Sequence, residues 1–224
     1  MYTTCCLTQV HFLVSSGSIF LATAATDGYI TFWDVFESLN KHSVTVEDGQ
    51  VQTHSQTAIP NPGTISWQAQ TRLHQSAIKC MTVAQIAEDS FLILTGGDDN
   101  ALAITRITLG RHLKDGEVHC SVLLLPKAHA SAVTAITLVD NPMADRDLFL
   151  QLRFATSSND QRLKLWSACI DLSKPGVEGL EITKDSDVYT SVADVSSMDT
   201  VNDGSDKKGV LVCGVGMELW SING

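Results

Sequence analysis

A hydroxyl, an imidazole and a carboxylate, the side chains of an acyl-transfer enzyme, occur together in the sequence as Thr156, His129 and Asp160. In such enzymes a histidine oriented by a carboxylate takes the proton of a hydroxyl nucleophile. The histidine and the aspartate recur upstream as His74 and Asp99. A catalytic set occurs once in a chain, whereas a structural set recurs with the fold, and the recurrence therefore favours a structural role.

The structural role follows from the chemistry of tight turns. An aspartate at such a turn accepts hydrogen bonds from backbone N–H groups that are otherwise unpaired. A histidine beneath it donates to the carboxylate, and the N–H of a buried tryptophan needs an acceptor. We predict a hydrogen-bonded network of this kind from nine side chains: Asp27, Trp33, His74, Asp99, His129, Thr156, Asp160, Trp166 and Trp220.

Three segments, 22–34, 94–104 and 155–166, share the pattern that would position these side chains. Each has a strand of small and apolar residues, a turn around an aspartate, and an alternating strand. The second copy has Thr105 in the place of the tryptophan, which leaves its network incomplete. The first copy has no clear entry histidine, and we expect His11 to substitute for it loosely.

A fourth, degraded copy occupies the last part of the sequence, with strands predicted at 191–196, 209–213 and 216–222. It keeps Trp220, but Gly214-Val215-Gly216 replaces the aspartate turn. The polar segments between the copies are predicted to be loops, and much of the acidic stretch 185–206 is expected to be solvated, apart from a strand near Val192 to Val195. The predicted loops are 36–63, 110–117, 140–147 and 173–187.

The pattern resembles the WD-repeat β-propeller family, whose repeat has an entry histidine, a small-residue strand, a turn aspartate and a closing Trp-Asp pair, matched here by Trp33-Asp34. The resemblance implies an all-β propeller of about four blades that form a partial, open ring. The implied blades are 1–70, with its long loop 36–63, then 71–127, 128–189 and an incomplete blade at 190–224.

Within that family, the order of features resembles the C-terminal region of the propeller subunits that accompany FtsJ-like tRNA 2′-O-ribose methyltransferases. The segments that carry this likeness include 24–28 and 160–163. It implies a non-catalytic scaffold in the cytoplasm, whose partners are the methyltransferase subunit and, through the complex, tRNA. It also implies that the chain is part of a longer protein and that the open arc is unstable in isolation. The alternative is a generic WD-repeat adaptor in ubiquitin ligation or signalling.

The acidic net charge argues against a protein that binds nucleic acid by electrostatic attraction alone. It has 224 residues with 15 Lys+Arg against 25 Asp+Glu, a net charge of −10, whereas phosphate binding needs clustered Lys and Arg. Arg162 and Lys164 are the first candidates for a tRNA or partner contact, because alternation places both on one side of a strand. The alternative for this pair is a solvated outer face.

Other function classes lack their motifs. The sequence has no run of about 18 apolar residues, so no membrane span is expected. The six cysteines form no C-x-x-C pair, and calcium-loop, P-loop and nucleophile-elbow patterns are absent. We therefore predict no catalytic residue, no metal and no cofactor.

Overall fold

The computed structural model describes residues 5–15, 18–36, 45–47, 50–52, 67–109, 118–140, 148–202 and 208–222. Within these residues the regular elements are β-strands, and the pairings between them are antiparallel, which confirms the all-β prediction. The predicted loops 110–117 and 141–147, and most of 36–63, lie outside the described residues. All six cysteines are free thiols.

Four sheets, which we call blades 1 to 4, follow one another along the chain, and strands within a blade pair in the order given. Blade 1 contains β1 (Leu7–Ser15), β2 (Ser18–Ala25), β3 (Tyr29–Asp34) and β6 (Trp67–Arg72), with a separate hairpin of β4 (Thr45–Glu47) and β5 (Gln50–Gln52). Blade 2 contains β7 (Ile78–Ala87), β8 (Ser90–Gly97), β9 (Leu102–Leu109) and β10 (Val118–Leu125). Blade 3 contains β11 (Val133–Leu138), β12 (Phe149–Ser158), β13 (Arg162–Asp171) and β14 (Leu180–Tyr189). Blade 4 contains β15 (Ala193–Asn202) and β16 (Lys208–Ile222).

The last strand, β16, doubles back on itself. A Cβ atom added to Gly209 would lie 3.1 Å from the carbonyl oxygen of Trp220, whereas an uninterrupted strand would separate these residues by about 36 Å. The reversal therefore lies within the segment around 214–216, where Gly216 has a φ of 104°, a value that suits glycine. We call the two arms β16a (208–213) and β16b (216–222).

One sequence expectation for the region after residue 172 is wrong, because strand β14 occupies 180–187 of the predicted loop 173–187. Strand β15 overlaps the strand predicted at 191–196 and extends beyond it, and most of its side chains are exposed, as expected for the acidic stretch. Strand β14 pairs with β13 along its length, with Ile182 opposite Ala168. The exposed face of β14 is polar, so its sequence shows only weak apolar alternation. The strand is stabilised by backbone hydrogen bonds to β13, which a hydropathy pattern does not report.

The blades pack through apolar clusters at each of the three interfaces. Phe32 and Met81 share a cluster between blades 1 and 2, Leu94 and Phe154 share one between blades 2 and 3, and the third cluster, between blades 3 and 4, includes Val212. The innermost strands contact one another in the order β1, β7, β11, β15, and within the described residues β15 and β1 make no comparable contact. The arrangement is consistent with a β-propeller, and no closed ring is found in the described part of the chain.

Candidate functional site

Blade 3 brings His129, Thr156, Asp160 and Trp166 together in one hydrogen-bond chain. The indole Nε1 of Trp166 lies 2.8 Å from the Thr156 hydroxyl, and His129 Nε2 lies 2.9 Å from the same hydroxyl. The other ring nitrogen, Nδ1, lies 3.0 Å from an oxygen of Asp160. Antiparallel pairing of β12 with β13 and the entry segment before β11 position these groups.

The direction of these hydrogen bonds follows from donor counting. The Trp166 N–H donates to Thr156, the Thr156 hydroxyl donates to His129 Nε2, and His129 Nδ1–H donates to the Asp160 carboxylate. This arrangement requires a neutral imidazole. Burial lowers the pKa of His129, although the Asp160 charge opposes that shift. Thr156 is fully buried, so its hydroxyl is closed to a substrate and holds the blade together.

The carboxylate of Asp160 also joins the entry segment to the turn. It accepts hydrogen bonds from the backbone N–H of Ala130, at 2.9 Å, and of Arg162, at 3.0 Å. Partial burial would by itself raise the pKa of Asp160, but these N–H groups and His129 hold it below its ordinary value. The side chain therefore acts as a fixed acceptor for a tight turn.

Blade 2 repeats the arrangement without the tryptophan. His74 Nδ1 lies 2.8 Å from Asp99 Oδ1, and His74 Nε2 lies 3.0 Å from the hydroxyl of Thr95. Asp99 also accepts from the backbone N–H of Gln75 at 2.7 Å. Thr105 occupies the tryptophan position and is fully buried. The hydroxyl of Thr95 therefore receives no indole hydrogen bond.

Blade 1 has the turn and the tryptophan but uses its histidine elsewhere. Asp27 accepts from the backbone N–H of Tyr29 at 3.1 Å, and Trp33 Nε1 donates to Thr23 at 2.9 Å. The ring of His11 lies 3.1 Å from the carbonyl oxygen of Met81 in blade 2, so the expectation that it substitutes for an entry histidine is wrong.

Two threonines of these networks, Thr23 and Thr95, were missed by sequence reasoning. The signal that could have found them is their spacing, because each lies ten residues before the tryptophan position of its repeat, as Thr156 does. In blade 4 that position is Val210, which offers no hydroxyl. Trp220 consequently stands outside such a network and packs against the third apolar cluster.

Blade 4 uses a different acceptor. A carboxylate oxygen of Glu218 accepts hydrogen bonds from the hydroxyl of Thr190, at 2.8 Å, and from the backbone N–H of Ser191, at 2.9 Å. The Thr190 hydroxyl, followed by the Ser191 N–H, lowers the pKa of Glu218. The glutamate thus holds the entry to a blade that has lost the turn aspartate.

The turns also tie each blade to the next. The residue after each turn aspartate has a positive φ, 83° at Gly28, 65° at Asn100 and 58° at Gln161. Its carbonyl oxygen accepts a hydrogen bond from the backbone N–H of the residue that enters the following blade. These three acceptors serve His74, His129 and Thr190 respectively.

The two basic candidates, Arg162 and Lys164, do lie on one side of β13, but both side chains form hydrogen bonds with groups of the same chain. Arg162 Nη1 lies 2.7 Å from Asp187 and its guanidinium stacks over the ring of Tyr189, while Lys164 Nζ donates to the Ala128 carbonyl at 2.6 Å. Burial would by itself raise the pKa of Asp187, but hydrogen bonds led by Arg162 lower it to about 2. Lys164 is 9% exposed, so little of its side chain is open to a phosphate or a partner, and the contact of this pair with tRNA or a partner stays a prediction.

Within the described residues, no group of three or more His, Cys, Asp and Glu side chains is placed to hold a metal ion. No helix in this part of the chain is long and apolar enough to span a bilayer.

Comparisons with known proteins relate the chain to a methyltransferase regulator at low identity. Over 177 residues it is 25% identical to the mouse (Mus musculus) protein described as tRNA (34-2′-O)-methyltransferase regulator WDR6, and the match covers 72% of this chain and 14% of that relative. No family model matches the sequence. A solved structure described as apo ctPRC2 in an autoinhibited state aligns over 98% of this chain and 56% of its own, at 9% identity and a TM-score of 0.46. The sequence match and the fold suggest a WD-repeat scaffold.

Proposed function

We propose that the chain is a non-catalytic, cytoplasmic WD-repeat scaffold that supports 2′-O-ribose methylation of the tRNA wobble nucleotide by an FtsJ-like partner methyltransferase. The observation that carries the proposal is the 25% identity over 177 residues to the mouse tRNA (34-2′-O)-methyltransferase regulator. Because the match covers 14% of that relative, the activity of the whole relative is extended to this chain only as a proposal.

The chemistry of the blades supports a scaffold over an enzyme. The set of side chains in blade 3 that resembles a catalytic triad places its hydroxyl, on Thr156, in a fully buried position between Trp166 and His129. A similar histidine–aspartate pair recurs in blade 2. Packed sheets of this kind hold their connecting loops at fixed positions, and loops carry binding.

A scaffold acts on a methyl transfer by positioning. Holding a tRNA nucleotide near the methyl donor of the partner enzyme converts an encounter of two molecules into a reaction within one complex. The net charge of −10, together with the internal pairing of Arg162 and Lys164, makes this part of the assembly a poor main surface for tRNA. In the proposed complex the principal phosphate contacts come from elsewhere in the assembly.

The proposal is tested by purifying the tagged native gene product and identifying the proteins that accompany it. An FtsJ-like methyltransferase is expected among them, and deletion of the gene should remove 2′-O-methylation at tRNA nucleotide 34, measured by nucleoside mass spectrometry. Restoring the gene should restore the modification, with methylation at another tRNA position as the internal control. Intact nucleotide-34 methylation after deletion, or a purification dominated by ubiquitin-ligase subunits, would contradict the proposal.

A further inference from the structure

Two positions in the third strand of each blade carry cations in blade 3 and in no other blade. They lie four and two residues before the closing tryptophan position, and in blade 3 they are Arg162 and Lys164. A departure from a repeat pattern marks a position at which one repeat serves a purpose of its own. The corresponding residues are Tyr29 and Thr31 in blade 1, Ala101 and Ala103 in blade 2, and Gly216 and Glu218 in blade 4.

The cations of this region outnumber the carboxylate that pairs with them. Asp187 lies 2.7 Å from Arg162, 3.0 Å from Lys184 and 3.6 Å from Lys164. The nearby Asp185 accepts a hydrogen bond from Ser167 on the opposite face of the sheet. The side chain of Lys184 is 45% exposed, so an excess of positive charge reaches solvent here on a chain whose net charge is −10.

An exposed aromatic ring lies beside these cations. Tyr189 stands opposite Arg162 in the register of β13 and β14, and the guanidinium carbon of Arg162 lies 4.0 Å from the centroid of the ring. Tyr189 is nevertheless 68% exposed, so the face of the ring away from the guanidinium is open to solvent. The cation–π contact holds the ring from one side and leaves a flat apolar surface on the other.

The ring and the cations lie on the side of blade 3 that faces blade 2. Alternation along β13 places Arg162 and Lys164 on the side of Trp166, and Trp166 belongs to the cluster between blades 2 and 3. Lys164 reaches the carbonyl of Ala128 in the segment that links these blades, where Lys127 is exposed. Both blades have four described strands, so this surface belongs to the middle of the arc and to neither of its ends.

A single exposed ring among cations fits an unpaired nucleobase better than a protein partner. Protein interfaces centre on clustered apolar and aromatic anchors, whereas the other exposed large apolar side chains of blade 3, Leu148 and Phe149, lie at the opposite end of the sheet. Sites for single-stranded nucleic acid combine an aromatic ring that stacks on a base with positive charge for the backbone. RNA loops supply such unpaired bases.

We propose that Tyr189, backed by Arg162, is a stacking platform for an unpaired base of an RNA loop, and that Lys184 contacts a phosphate beside that base. The inference rests on the proposed function, which supplies the anticodon loop of tRNA as the RNA, and it adds the residues and the mode of contact. The stacked base positions the loop, while the principal phosphate contacts come from elsewhere in the assembly.

The test uses the tagged native gene product with the subunits that accompany it, and a fluorescein-labelled tRNA anticodon stem-loop. Affinity is measured by fluorescence anisotropy. Tyr189→Ala should weaken binding at least about fivefold, because it removes a stacked base. Tyr189→Phe keeps the ring and should change the affinity less than about twofold. Because the side chain is exposed, both variants should keep the melting temperature of the wild-type protein.

The salt dependence of binding separates stacking from the phosphate contact. Lys184→Ala should reduce the slope of log K against log salt by about 0.7, the value for one phosphate contact in a single strand. Tyr189→Ala should leave the slope unchanged, because a stacked base releases no counterion. The matched control is Lys174→Ala at the opposite end of blade 3. Lys174 is 56% exposed and, like Lys184, pairs with an aspartate three residues away, and its removal should change neither affinity nor slope.

Several outcomes would overturn the inference. Unchanged affinity in Tyr189→Ala, or an equal loss in Tyr189→Phe, would exclude the stacked base. Equal effects of Lys184→Ala and Lys174→Ala on the slope would exclude a phosphate contact particular to Lys184. Displacement of the stem-loop by a polyglutamate peptide as readily as by unlabelled stem-loop would make an acidic protein segment the occupant instead.

Failure of this inference is distinguishable from failure of the proposed function. If the wobble nucleotide stays methylated after deletion of the gene while binding of the stem-loop still depends on Tyr189, the proposed function is wrong and the stacking site stands. If methylation requires the gene but Tyr189→Ala binds the stem-loop as the wild-type protein does, the stacking site is wrong and the proposed function stands.

Discussion

Glu218 and Lys164 occupy the same place in successive repeats, two residues before the closing tryptophan, and both hold the segment that enters their blade with opposite charges. Lys164 donates to the carbonyl of Ala128 at 2.6 Å, while Glu218 accepts from the N–H of Ser191 at 2.9 Å. The contact with the entry segment thus keeps its position in the repeat, but Lys164 donates a hydrogen bond there and Glu218 accepts one. In blade 4 the glutamate therefore supplies the acceptor that the turn aspartate supplies in the other blades.

Reversing the charge of Glu218 should therefore loosen blade 4 alone. In Glu218→Lys an ammonium would face the donors of Thr190 and Ser191, so hydrogen exchange at 190–193 should accelerate while exchange in blade 2 stays unchanged. Hydrogen–deuterium exchange mass spectrometry measures both, with Glu178→Lys as the charge-matched control. Faster exchange throughout the chain, or none at 190–193, would show that Glu218 does not hold this segment.

Removing the threonine hydroxyl should lower the free energy of unfolding more in blade 3 than in blade 2. Thr156→Val leaves both the Trp166 indole N–H and His129 Nε2 without a partner, whereas Thr95→Val leaves only His74 Nε2 without one. Each buried polar group left unpaired costs about 1–3 kcal/mol. We expect the larger fall in the free energy of unfolding for Thr156→Val, measured by urea denaturation. Equal losses would argue against the additional indole hydrogen bond.

Stability should fall as the pH drops below about 6.5, the ordinary pKa of histidine. Burial lowers the pKa of His129 in the folded chain, so the unfolded chain binds a proton that the folded chain refuses. The folded state is therefore favoured above the unfolded pKa and loses that advantage as the pH falls. The lowered pKa of Asp160 adds a loss of the same sign below about pH 4.

The measurement is urea unfolding at several pH values between these limits and neutrality. His129→Gln should flatten the dependence near pH 6, while the same change at the exposed His119 should leave the shape of the curve intact. A stability that rises on acidification through pH 6 would show that the imidazole of His129 is charged in the folded chain.

Two substitutions at the turn residues that link the blades should change thermal stability in opposite directions, because one adds a Cβ atom and the other removes one. Gly28→Ala would place a Cβ 2.2 Å from the carbonyl oxygen of His74, and we expect a marked loss of thermal stability. Gln161→Gly, at an exposed position with a φ of 58°, relieves left-handed strain of about 1 kcal/mol, offset in part by the entropy of glycine. Differential scanning calorimetry of both variants checks the signs, and a stable Gly28→Ala would contradict the close approach.

The repeat was readable from the sequence because its signals are local. A turn aspartate, a strand of small residues and a tryptophan at fixed spacing express hydrogen bonding and alternation within a dozen or so residues. These signals were sufficient to predict the β-strands around Asp27, Asp99 and Asp160 and the grouping of His129 with Thr156 and Trp166.

Other features depended on partners distant in the chain. Strand β14 was predicted as a loop because its stability comes from the backbone ladder with β13, which side-chain hydropathy does not encode. The hydrogen bond of Lys164 to the Ala128 carbonyl and the contact of His11 with the Met81 carbonyl likewise depend on neighbours that meet only when the blades pack. Local spacing thus determined which residues form the repeat, whereas tertiary packing decided which charges remain free, because burial and pairing depend on groups that meet only when the blades assemble.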